Sequence, residues 1–180
     1  MKSKLSVREL CFIGIFVAVM AVCAQVNIQL PGGVPFTLQA WAVGLAGLVL
    51  GAKNGTIAAL VYVLLGIAGV PVFVGFFGGL GILAHPTGGF VLSFPLLALL
   101  AGLGEKSGRV AFSFIGLVAG VVVNFACGLL YFSWITGLGL PESFGFAVVP
   151  FVVPTVVKIV VIPVIGKSIK GALHAARVTV

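Results

Sequence analysis

Apolar runs long enough to cross a lipid bilayer recur six times along the chain, at about 10–28, 37–52, 56–72, 90–104, 110–134 and 146–165, separated by polar or Gly/Pro-rich breaks. A hydrocarbon core of about 30 Å calls for about 20 mostly apolar residues per helix. Inside it every backbone N–H and C=O must bond within the segment, so runs of this length and character take the helical form. Six such spans use nearly all of the 180 residues, so a single transmembrane domain over 1–180 is expected, without room for a soluble one. Composition points the same way: 61% of residues are hydrophobic and 7% charged, with a mean hydropathy of +1.34, more apolar surface than a soluble core uses. Lys2, Lys4 and Arg8 precede the first run as they would in a secretory signal, but five further apolar runs follow, so a retained first helix is expected.

The placement of charge gives the expected orientation. Lys2, Lys4, Arg8, Lys53, Lys106, Arg109, Lys167, Lys170 and Arg177 fall on one set of connections, while the alternate set, around 29–36, 73–89 and 135–145, has neither Lys nor Arg. By the positive-inside rule both termini are expected in the cytoplasm. The net charge of +7 is therefore a topology signal. No basic stripe interleaved with aromatics exists, so nucleic acid is not an expected partner.

The two kinds of connection also differ in length. Lys53-Asn54-Gly55 and Glu105-Lys106-Ser107-Gly108-Arg109 are expected as tight cytoplasmic turns between antiparallel helices. On the outer side Gly33-Val34-Pro35, Gly69-Val70-Pro71 and Gly139-Leu140-Pro141 stop or start helices. The longest outer connection, from Pro71 to Phe90, is rich in glycine yet too apolar for a solvated loop. Irregular backbone at membrane depth is tolerated where it is buried in protein or lines a cavity, so this segment is expected to fold back as a lid or pocket wall; the alternative is a loop lying on lipid headgroups.

Catalysis lacks its residues. The chain has no Asp, and Glu9, Glu105 and Glu142 lie near expected membrane edges. His85 and His174 have no ligand-type partner one helical turn away, and no Cys pair has zinc spacing, so neither a metal site nor an acid–base or triad site is expected. Cys11, Cys23 and Cys127 are odd in number and sit in apolar runs, which suits buried small hydrophobes. The glycine segment follows no strand and lacks the G-x-x-x-x-G-K-[ST] pattern, which rules against a phosphate loop.

The candidates that remain are for binding. Lys158 lies inside the last span, where a cation costs about 2.5–3.5 kcal/mol on insertion scales and ordinarily faces a partner or a wet cavity. An anionic ligand group would be such a partner; snorkelling of the ammonium to an interface is the competing explanation. Asn124, within the fifth span, suits either a ureido or amide group of a ligand or a bond between helices. Thr37 and Gln39 lie deeper than Gln25, Asn27 and Gln29, for which bonding to interfacial water suffices. Phe73, Phe76, Phe77 and Phe90 flank the glycine segment as interfacial belt or as walls for an apolar ring, and Trp41 and Trp134 are assigned to the belt or to packing. Gly14, Ala18 and Ala21 form a smooth stripe on the first helix that could pack internally or dock a partner.

Four stretches then resemble a known family, the biotin-specific S components of energy-coupling-factor vitamin transporters (the BioY family). They are Val34-Pro35-Phe36-Thr37-Leu38-Gln39, Gly66-Ile67-Ala68-Gly69-Val70-Pro71-Val72-Phe73, Pro86-Thr87-Gly88-Gly89-Phe90 after the glycine-rich loop, and Lys158. The resemblance covers essentially the whole chain, in order and spacing. It implies an all-α, six-helix bundle of a prokaryotic plasma membrane, multi-pass, with lid-like outer loops and cytoplasmic termini. It also implies biotin as transported ligand rather than cofactor, bound from outside near Lys158, Asn124, Thr37, Gln39, Phe73, Phe76, Gly78, Gly79, Pro86, Thr87, Gly88, Gly89 and Phe90. A transmembrane scaffold subunit and two ATP-hydrolysing subunits would be partners, docking over Gly14, Ala18 and Ala21. Where the family commonly has an aspartate three residues before the lysine, this chain has Thr155. The competing function is a stand-alone secondary transporter or facilitator for biotin or another small anionic vitamin, which the lack of intramembrane carboxylates disfavours.

Overall fold

The computed structural model describes residues 5–28 and 34–176. Lys2, Lys4, Gln29, Gly33 and Arg177 lie outside the described residues.

Helix α1 runs Val7–Gln25, about 28 Å at 1.5 Å per residue. A capping box starts it: the Ser6 hydroxyl accepts the Glu9 N–H at 3.2 Å, and the Glu9 carboxylate accepts the Ser6 N–H at 2.7 Å. It stops three residues earlier than the apolar run suggests, because Asn27–Ile28 (β1) leaves the helix to pair antiparallel with Phe36–Thr37 (β2). The ladder satisfies backbone groups at the rim of the bundle where a helix end would leave them open.

The second and third spans form one hairpin, α2 (Gln39–Ile67), which turns at Gly51 with φ 77° and ψ 176°. The pivot therefore precedes the polar residues 53–55 that mark the turn in the sequence, because only glycine adopts the Gly51 conformation without strain. Gly55 instead sets the spacing of the arms. A Cβ there would lie 2.8 Å from the Ala46 carbonyl oxygen, so its hydrogen lets the two arms touch.

A short α3 (Gly88–Leu92) leads into α4 (Phe94–Glu105). The break at Ser93 is held by its hydroxyl, which donates to the carbonyls of Gly89 and Phe90 at 2.9 and 3.1 Å. The turn at 106–109 falls where the sequence places it, and α5 (Val110–Thr136) follows, ended by Gly137 at φ 71°. The last span differs from its expected limits. Leu140–Ala147 forms a separate helix, α6, whose Glu142 side chain accepts the Gly139 N–H at 2.8 Å. A 3-10 turn, Val149–Phe151, then leads into α7 (Val152–Ala175).

Among the described residues four helical stretches are long and apolar enough to cross a membrane: Val7–Gln25, Gln39–Ile67, Val110–Thr136 and Leu140–Leu173. The fold of Gln39–Ile67 at Gly51 and the shorter apolar Phe94–Glu105, extended by α3, bring the passes to six. The core is built from Met20, Val43, Ala58, Tyr62, Leu97 and Leu117, all fully buried. Its centre is the packing of α2 on α4, with α1 and α5 on either side. Small residues set these distances: a Cβ on Gly47 would lie 2.3 Å from the Ala98 carbonyl oxygen, and one on Gly102 would lie 2.4 Å from the Ala52 nitrogen. Large apolar side chains such as Val22, Ile115, Leu130, Val153 and Val164 face outward toward lipid. Cys11 is among the exposed residues rather than buried, since its turn of α1 packs on other helices through Ile13, Phe16 and Val17.

Candidate functional site

The carboxylates are all engaged away from the bundle interior. Glu9 accepts from Asn54 at 3.0 Å, Glu105 pairs with Lys170 at 3.1 Å and with the Ser113 hydroxyl, and Glu142 caps α6. These contacts leave none for Lys158, which is 5% exposed and lies about 9 Å into α7. Among the described residues its ammonium has no hydrogen-bond or ion-pair partner; its nearest aromatic contact is the Phe125 ring, 6.0 Å to the centroid. A snorkelling lysine would carry its ammonium to the surface, whereas this one faces a cavity.

That cavity has a volume of about 340 Å³, within the range of about 300–1,000 Å³ usual for small-molecule sites. Segments between Val34 and Lys158 close it, with no residue of α1 or α6 in the lining. The β2 strand and the start of α2 bring Thr37, Gln39 and Trp41; the glycine-rich segment brings Phe73, Val74, Gly75, Phe77, Ile82, His85 and Thr87. Helices α3 and α5 bring Phe90, Asn124 and Phe125, and the last pass brings Phe151, Thr155 and Lys158. Phe90, Phe125 and Phe151 form a run of ring contacts at 5.9 and 6.4 Å, giving one side of the cavity an aromatic wall.

The polar atoms are oriented by their own bonds. The Tyr62 hydroxyl donates to the Val72 carbonyl at 2.8 Å, so it must accept from Gln39, whose Nε2 lies 2.7 Å away. The Gln39 carbonyl oxygen is thereby left as an acceptor. The Ser93 proton is spent on backbone carbonyls, so Asn124 Nδ2 donates to Ser93 Oγ at 2.7 Å and to the Phe90 carbonyl at 2.8 Å. Asn124 is thus a bond between α5 and the α3–α4 break, and its Oδ1 has no partner among the described residues. Two amide oxygens, the hydroxyls of Thr37, Thr87 and Thr155, the His85 ring and one ammonium are therefore the polar groups of a lining that is otherwise apolar. Such a site complements a small, largely apolar molecule with N–H donors and one negative charge.

Several candidates stand outside the lining. Gly78 and Gly79 seat the segment on the end of α2: a Cβ on Gly78 would be 2.5 Å from the Val70 carbonyl oxygen, and the Gly79 N–H bonds the Gly66 carbonyl at 2.7 Å. Gly88 and Gly89 let α3 lie on α5, since a Cβ on Gly89 would be 2.3 Å from Tyr131 Cβ. Pro86 is half-buried and does not line the cavity, and Phe76 points outward at 71% exposure. Conversely, Trp41, Phe125, Phe151 and His85 line the cavity although the sequence singles out none of them for it. Gln25 is not explained by interfacial water: its Nε2 donates to the Phe73 carbonyl at 3.0 Å and its Oε1 accepts the Phe76 N–H at 3.0 Å. Gly14 and Ala18 are exposed and Ala21 is half-buried, so the stripe on α1 faces out of the bundle.

His85 adds a pH-dependent element to the wall. Its Nδ1 accepts the Thr87 N–H at 3.3 Å and lies 2.7 Å from the Thr87 hydroxyl, so the neutral ring carries its proton on Nε2. Partial desolvation of the ring against the cavity wall holds its pKa below the usual 6.5, although the residue as a whole is exposed. The folded form therefore favours the neutral ring, and stability that is complete above 6.5 is lost as the pH falls from there through the lower folded-state value. Hydrogen exchange over 80–90, corrected for its intrinsic pH dependence, should quicken as the pH falls below 6.5. The change should disappear in His85→Phe; a change of equal size there would assign it to another group.

The family model for the BioY family matches residues 1–175. The chain is 38% identical to the probable biotin transporter BioY of Pyrococcus horikoshii, over 91% of this chain and 97% of that one. It is 41% identical to the biotin transporter BioY of Thermotoga maritima, over 91% and 96%. Its fold is similar to a crystal structure of the S-component for biotin from an ECF-type ABC transporter, with a TM-score of 0.85, 23% identity and 95% of each chain covered.

Proposed function

The chain belongs to the BioY family, and from that membership we propose that it is the biotin-binding membrane subunit of an energy-coupling-factor uptake transporter. The observation that carries the reading is Lys158, a buried cation with no counter-ion among the described residues, in the wall of a largely apolar cavity. Biotin is a neutral bicyclic ureido head on an apolar chain ending in a carboxylate. Lys158 meets that carboxylate, Asn124 Oδ1 and Gln39 Oε1 are acceptors for the two ureido N–H groups, and Thr37 and Thr87 offer hydroxyls. Phe73, Phe90, Phe125 and Phe151 surround the rings. Thr155 brings no charge to compete for the ammonium.

The cavity opens to the outside in this proposal, because the basic connections lie at the opposite end of the bundle and favour the cytoplasm. In a cysteine-free variant, a label at Ser107→Cys should react only from the cytoplasm and one at Gly139→Cys only from outside. Reversed labelling would overturn the orientation.

A scaffold membrane subunit would dock on the outward stripe of α1 at Gly14 and Ala18, with two ATP-hydrolysing subunits beyond it. Uptake of labelled biotin by cells lacking their own transporter tests this. Uptake should require the scaffold and ATP-hydrolysing subunits together with this chain, and unlabelled biotin should compete. Equal uptake by the chain alone would favour a stand-alone facilitator, and no specific uptake in either case would contradict both.

A further inference from the structure

Gln25 does not line the cavity, yet it holds part of the wall. The turn at 73–77 closes on itself through the Phe73 N–H to the Phe77 carbonyl at 3.0 Å, and Phe73, Val74, Gly75 and Phe77 face the cavity. Upstream, Phe73 is rooted edge-on against Tyr62; downstream, the Gly79 N–H is rooted on the Gly66 carbonyl. Between these roots, among the described residues, the one hydrogen bond from 74–77 to a residue outside the turn runs from the Phe76 N–H to Gln25 Oε1. The same side chain donates to the Phe73 carbonyl and to its own helix at the Ala21 carbonyl. Its amide orientation is fixed, because a carbonyl must receive the nitrogen and an N–H must receive the oxygen.

The turn so held is not a relaxed one. Phe76, at φ 57°, is the one residue other than glycine with positive φ among the described residues, and its ring is 71% exposed. A bulky residue enters that region only against a steric penalty, so the turn needs an outside bond to stay as it is. Exposed position, stored strain and a single tether together describe a wall that opens when the tether lets go.

We propose that Gln25 is a positioning residue for ligand exchange: it latches the 73–77 turn onto α1 and sets how fast ligand enters and leaves the cavity. The inference rests on the biotin-binding reading. A latch acts on both directions of exchange, so losing it speeds entry and exit together and changes affinity little. A ligand contact would behave differently, with faster exit at an unchanged rate of entry.

The test is the association and dissociation of labelled biotin with detergent-purified protein. Gln25→Leu removes the bonds to Phe73 and Phe76, each of ordinary strength, and should raise both rates about 5- to 30-fold with Kd changed less than about 3-fold. Phe76→Asn, which accepts positive φ more readily, should bring both rates of Gln25→Leu part of the way back. It also serves as a second background if the single variant folds poorly. Faster exit alone, or both rates unchanged, would overturn the latch while leaving biotin binding intact. Absence of biotin binding in the wild-type protein would instead remove the reading beneath it.

Discussion

Replacing Lys158 by methionine is expected to weaken biotin binding about 10- to 150-fold while leaving binding of biotin amide nearly unchanged. A hydrogen bond to a charged group contributes roughly 1.5–3 kcal/mol, and each 1.4 kcal/mol is a factor of ten. An effect of that size requires the ammonium to be free for the ligand. The structure supports that freedom: Lys158 is buried, Glu9, Glu105 and Glu142 are engaged elsewhere, and Thr155 brings no charge. Methionine keeps the length and much of the shape of the lysine stem, so the cavity should retain its form. The ligand-free variant should be at least as stable as wild type, because a cation that must be held without a counter-ion has been removed. Titrating acid and amide against both proteins decides the matter; equal losses for the two ligands, or none for the acid, would take Lys158 out of the site.

Gly47→Val is expected to cost about 3 kcal/mol or more and to leave little monodisperse protein in detergent. The hydrogen of Gly47 faces backbone: even a Cβ there would sit 2.3 Å from the Ala98 carbonyl oxygen and 3.0 Å from Ala101 Cβ. No rotamer of a neighbour can relieve such a contact, so α2 and α4 must separate along the centre of the bundle. Gly14→Val is the matched control, since nothing lies within 4 Å of a Cβ at that position; it should change stability by no more than about 0.5 kcal/mol. Thermal unfolding followed by light scattering separates the two. Comparable losses at positions 14 and 47 would contradict the crossing with α4 as the cause, because helix propensity alone favours valine over glycine at both.

Much of this molecule is legible in the sequence because a membrane leaves few options. Apolar runs give the six passes, and the break between α4 and α5 falls in the polar segment 106–109. Lys158 is conspicuous as a charge in an apolar run, and Gln39 and Asn124 for similar reasons. What the sequence hides is what lacks contrast. Trp41, Phe125 and Phe151 line the cavity, but an aromatic residue in an apolar helix looks the same whether it faces lipid or ligand. The hairpin turns at Gly51 rather than at the more polar 53–55 because backbone conformation, not polarity, decides the pivot. Gly88 and Gly89 look like parts of a binding loop and instead allow α3 to rest on α5. Gln25 looks like an interfacial residue because its partners, the Phe73 carbonyl and the Phe76 N–H, are 48 and 51 positions away and belong to the backbone.

The most direct test is whether the purified protein contains biotin. Protein prepared in mild detergent from cells grown with biotin, washed and then denatured, should release close to one biotin per chain by mass spectrometry. The Lys158→Met protein prepared alongside should release much less. Biotin at the level of a detergent blank in the wild-type preparation, with no uptake of added biotin by the same folded sample, would contradict the assignment of this cavity to biotin.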